Sequence, residues 1–146
     1  MHRLLLILAT LAISFTASAQ SKFLSSAADA KRTAEGIVAS IAASNFAGAW
    51  HEMKPLSVVP TSEIDVFEAQ FNSQAENLLR RFGSPIGYEL VREELLGTSL
   101  VRYQFLVLHE KAPLRWMFVF YRAEKGWVLT DFKFDSTAST FFPGAG

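Results

Sequence analysis

Residues 114–121 read Leu-Arg-Trp-Met-Phe-Val-Phe-Tyr, and this stretch decides the fold. Aromatic and branched side chains in such density favour a strand. In an extended chain Trp116, Phe118 and Phe120 point to one side, while Met117, Val119 and Tyr121 point to the other. A strand with one wet face alternates apolar and polar residues. This one is apolar on both parities, so both of its faces need cover and it belongs inside a sheet.

Three more strands surround it. Residues 127–134, Trp-Val-Leu-Thr-Asp-Phe-Lys-Phe, follow the turn Glu124-Lys125-Gly126. Residues 99–109 precede it across Glu110-Lys111-Ala112-Pro113, and residues 88–96 come before Gly97-Thr98. Connections this short join neighbours, which predicts an antiparallel meander. Helices can cover one face of the sheet. The other face needs a partner chain, the C-terminal tail or a ligand.

The helices lie upstream. Residues 63–82 place Ile64, Phe67, Phe71, Ala75, Leu78 and Phe82 three or four apart, one stripe of a helix. Ser62 is the expected N-cap, Arg80 and Arg81 suit the last turn, and Gly83 followed by Pro85 supplies the stop. A short helix is expected from Phe46 to just before Pro55, because a proline pushes its predecessor out of the helical region. Residues 26–44 are Ala-rich, with Ala28, Ala34, Ile37, Ile41 and Ala42 near one stripe. The expected class is α+β, with N-terminal helices packed on a curved antiparallel sheet of about four strands.

Residues 1–19 read as a cleavable secretory signal. Arg3 gives the positive start, an apolar run follows from Leu4, and Ala17-Ser18-Ala19 is a small-x-small cleavage site. The mature chain, residues 20–146, is then one exported domain, periplasmic or secreted, with no membrane attachment after cleavage. The sequence contains 0 cysteines, so disulfides and lipid-anchored cysteine are excluded and stability must come from a packed core. Its 13 phenylalanines make such a core feasible. Net charge is +0, which leaves no basic field for nucleic acid.

Phe46-Ala47-Gly48-Ala49-Trp50 resembles the start of the second helix in small NTF2-like (cystatin-like α+β) domains. The Gly126-Trp127-Val128-Leu129 stretch is similar to their last strand, and the long helix ending at Phe82-Gly83 fits as well. The resemblance spans roughly residues 27–142. It implies helices closing a bent sheet into a cone. The superfamily includes isomerase-like enzymes, ligand binders and interaction modules, so it informs fold rather than chemistry.

Chemistry is sparse. No His-x-x-x-His spacing, Gly-rich phosphate loop or Gly-x-Ser-x-Gly elbow occurs, and His51 and His109 are read as structural or exposed. No metal or cofactor is expected. Asp131 is the candidate acid, raised by desolvation inside the cone, with Tyr88, Tyr103 or Tyr121 as donor. The plainer reading pairs Asp131 and Lys133 with arginines across strands. Trp50, Phe71, Trp116 and Phe118 are candidate pocket walls, and Arg102 and Arg115 could meet an anionic group at the mouth. The favoured function is a non-enzymatic domain that binds a small apolar or anionic ligand or a protein partner. It would form a homodimer through the open sheet face. The alternative is a small cofactor-free lyase or isomerase using a pocket Asp and Tyr.

Overall fold

The computed structural model describes residues 22–144, so the expected leader and its cleavage site lie outside the described residues. Helix α1 (Ala27–Ala42) starts at Ser26, whose hydroxyl accepts from the Asp29 N–H at 3.0 Å. Asn45 does the same for Gly48 at 3.0 Å and opens α2 (Phe46–Met53), which tightens into a 3₁₀ turn at Lys54–Leu56. Helix α3 (Thr61–Phe82) begins two residues earlier than its sequence suggests. Pro60, not Ser62, holds the cap position: its carbonyl accepts from Glu63 and Ile64, which leaves Ser62 inside the first turn.

Four strands follow: β1 (Pro85–Leu96), β2 (Leu100–His109), β3 (Leu114–Ala123) and β4 (Gly126–Asp135). They form one antiparallel sheet in sequence order, the expected meander, and the sheet is curved and unclosed. The domain is thus α+β, three helices followed by four strands. Strand β1 starts three residues early because Glu110 donates to the Ser84 carbonyl, which aligns Pro85 with His109. Register shifts at Leu90/Arg92 in β1 and opposite Val119/Phe120 in β4 bend the sheet.

The inner face carries Tyr103, Phe105, Trp116, Phe118 and Phe120 against Ala30, Ala34, Ile37, Val38 and Ile41 of α1. Ala28, expected on that stripe, is exposed, and Ala30 and Val38 take the contact. Helix α3 touches the sheet more sparingly. Only Ile64, Phe71 and Phe82 of its 22 residues are buried. Lys54 bridges to Asp65 and Glu68 near its start, and His109 Nδ1 lies 2.8 Å from the Gly83 carbonyl just past its end.

Tyr103 is fully buried, and its hydroxyl donates to the Ala27 carbonyl at 2.9 Å. Burial, with Glu93 and Glu35 nearby, pushes its phenol up to about 12 from the ordinary 10.0. The unfolded chain therefore releases this proton first. The stabilisation is complete below pH ~10 and is lost as pH rises through about 12. Urea titrations should show Tyr103→Phe losing less stability than wild type across that window. Parallel curves for the two proteins would contradict this role.

Candidate functional site

A cavity of about 420 Å³ lies between α3 and the free edge of β4. Its size falls within the range of small-ligand pockets. Trp50, Phe67, Phe71, Phe132 and Phe134 supply aromatic walls, and Val59 adds an aliphatic patch. Glu63, Gln70 and Gln74 supply polar side chains from α3, and Asp131 and Lys133 border the cleft along the β4 edge.

The walls form one ring network. Phe71 sits 4.9 Å from Phe46, 6.0 Å from Trp50, 5.9 Å from Trp116 and 5.3 Å from Phe134, centroid to centroid. Phe132 meets Trp50 at 5.8 Å and Phe67 at 6.0 Å. These tilted and edge-on contacts are the favourable geometries for aromatic pairs. Phe67 is nevertheless 49% exposed, so an apolar occupant of the cleft would remove it from water.

The edge that borders the cleft follows from pairing parity. Arg122 donates to Ser99, so even-numbered β3 residues bond toward β2 and odd-numbered ones toward β4. On β4 the partners of the odd residues are Asp131, Lys133 and Asp135. The N–H and C=O groups of Phe132 and Phe134 therefore point outward, and no hydrogen bond to them is found among the described residues. Earlier on the same edge, Leu24 pairs with Trp127 and Val58 donates to Leu129 at 2.9 Å.

A single extra residue explains where Asp131 goes. Val119 pairs with Asp131 and Phe120 with Leu129, which leaves Thr130 inserted, its hydroxyl donating to the Val119 carbonyl at 3.1 Å. An insertion of one residue flips every later side chain to the opposite face. Trp127 and Leu129 face the helices, but Asp131 and Lys133 turn to the outer face while Phe132 and Phe134 turn inward. Asp131 is exposed, and no hydrogen bond joins it to a tyrosine among the described residues. The acid expected inside the cone is outside it. Tyr103 is inside, bound to α1, whereas Tyr88 and Tyr121 are 41% and 44% exposed.

Of the other candidates, Trp50 and Phe71 line the cleft. Trp116 and Phe118 are core residues behind it, and the buried Trp116 Nε1–H has no partner among the described residues. Neither arginine reaches the mouth. Arg102 binds Glu94 at 2.7 Å and 2.6 Å on the outer face, beside Gln104. There burial tends to raise the Glu94 carboxyl, but its bonds to Arg102 and Gln104 outweigh that and lower it. Arg115 binds Asp135 at 2.7 Å and the Thr140 carbonyl at 3.0 Å, tying the tail's 3₁₀ turn (Ala138–Phe141) to one corner of the outer face. The arginines that pair across strands thus do so with Glu94 and Asp135, and none pairs with Asp131 among the described residues.

His109 is buried at the end of α3, and His51 is exposed. Among the described residues no cluster of three His, Asp or Glu side chains could hold a metal, and no helix is long and apolar enough to cross a membrane. Phe132 and Phe134 were the wall residues hidden in the sequence, because their inward orientation depends on the Thr130 insertion. Comparison with protein-family models, curated proteins and solved structures yields no match to this chain.

Proposed function

We propose that this chain is an exported NTF2-like domain whose task is binding, and that the cleft between α3 and β4 is its site. The observation that carries this reading is an aromatic cavity of about 420 Å³ with a half-exposed phenylalanine on its wall. Such a wall stays partly wet until an apolar group fills it. The polar groups at the rim orient an occupant rather than attack it. The lyase or isomerase alternative draws no support from Asp131, which sits on the opposite face of the sheet from the buried Tyr103.

Indole is a suitable probe. Titrated into the ¹⁵N-labelled mature protein, it should shift the amides of Phe67, Gln70, Phe132 and Phe134. Shifts confined to the outer face around Leu106 and Met117, or no shift at millimolar indole, would overturn the assignment.

The outer face supports pairing of two copies. Leu100, Leu106, Leu108 and Val119 are only half-buried there, and Tyr121 is exposed. Protein recovered after export is expected to begin at Gln20 and to sediment as a dimer, with Val119→Asp shifting it to monomer. A chain retaining its leader would contradict export, and a wild type that stays strictly monomeric at high concentration would contradict the dimer.

A further inference from the structure

We infer that the occupant of the cleft is an extended segment of a partner polypeptide, added as a strand to the free half of the β4 edge. This rests on the binding reading above and names its ligand class.

Three features converge on a peptide backbone. The first is the edge itself. Phe132 and Phe134 present two N–H and two C=O groups that have no partner among the described residues, and both residues line the cleft. A row of unpaired edge groups is a template for another strand.

The second is continuity. The chain already uses this edge once: Ser57 bridges to Leu129 in parallel orientation, and Val58 donates to the Leu129 carbonyl. The chain then leaves the edge at Pro60 to begin α3. The column of strand addition is thus begun by the protein's own backbone and left open at Phe132 and Phe134.

The third is the opposite wall. Gln70 and Gln74 line the cleft from α3, one turn apart, and neither side-chain amide has a partner among the described residues. Four helical residues rise about 6 Å. Two strand residues span about 6.6 Å. A strand running along α3 would therefore bring successive outward groups to successive glutamines. Each primary amide offers both a donor and an acceptor, which complements a peptide group. A strand lying here would have β4 on one side and two amides on the other. Its inward side chains would rest on Trp50, Phe67 and Phe71, which selects Leu or Phe at alternate positions.

Acetyl-Thr-Leu-Thr-Leu-Thr-amide and its fully N-methylated counterpart test this on the mature protein, with indole as a reference probe. The unmethylated peptide should bind at least tenfold tighter than the methylated one and should slow amide exchange at Phe132 and Phe134. The Gln70→Ala/Gln74→Ala double variant replaces exposed helix residues by the best helix former, so folding is retained. It should bind the unmethylated peptide about fivefold more weakly, in line with the loss of one or two hydrogen bonds, and so narrow the gap between the two peptides. Equal affinity for the two peptides, or unchanged exchange at Phe132 and Phe134, overturns strand addition. If indole still binds in that case, the cleft remains a site for apolar small molecules. If indole fails too, the cleft reading falls with it.

Discussion

Phe71→Ala is expected to destabilise the domain by about 3–5 kcal/mol, the usual cost of deleting a buried phenyl ring. Phe71 is only 5% exposed and touches rings from α2, β3 and β4. It is the one buried residue in the middle of α3, since Ile64 and Phe82 anchor the two ends. Removing it opens a cavity that its neighbours fill poorly, because Trp116 is pinned between Phe118 and Phe134 in near-parallel stacks. The comparison variant is Phe67→Ala. Phe67 belongs to the same helical stripe but is half-exposed, so its loss should cost no more than about 1 kcal/mol while abolishing indole binding. Urea denaturation of both variants checks the pair. Similar losses for Phe67 and Phe71 would mean that α3 packs along its whole length and that no cleft exists.

Gly83→Ala carries the second large effect. Gly83 has φ 82° and ψ −177°, a region only glycine occupies without strain of about 1–3 kcal/mol. A Cβ there would also lie 2.6 Å from Glu110 Oε2 and 2.8 Å from Glu110 Cβ. Glu110 cannot retreat freely, because the same oxygen accepts from the Ser84 N–H at 2.9 Å. The Gly83 carbonyl accepts from His109, so the distortion reaches the β2 end as well. The expected loss is at least about 2 kcal/mol in urea denaturation, from strain together with the displaced contact. A loss below about 0.5 kcal/mol would show that this helix-to-sheet junction tolerates a side chain.

The elements themselves were legible. Hydrophobic period, proline and glycine placed three helices and four strands in the right order, and the doubly apolar run at residues 114–121 identified an inner strand. Gly83 was legible as a stop, although its contact with Glu110 was not. What stayed hidden was parity. Counting by twos from Trp127 puts Asp131 and Lys133 on the inner face, but the inserted Thr130 reverses every residue beyond it. That single shift moves an acid out of the cone and two phenylalanines into the cleft. The pairs that fix it are long-range, and no local pattern in Thr130-Asp131-Phe132 announces a bulge. Gln70 and Gln74 were likewise plain polar positions of an amphipathic helix until the β4 edge came to lie opposite them.

The most direct measurement is a crystal of residues 20–146 soaked with indole. The account predicts the indole ring between Phe67 on α3 and Phe134 on β4, against Trp50, with α3 standing off the β4 edge as described. A ring bound only on the outer face near Leu96 and Val119, or α3 collapsed onto Phe132 with no room for a ligand, would contradict it.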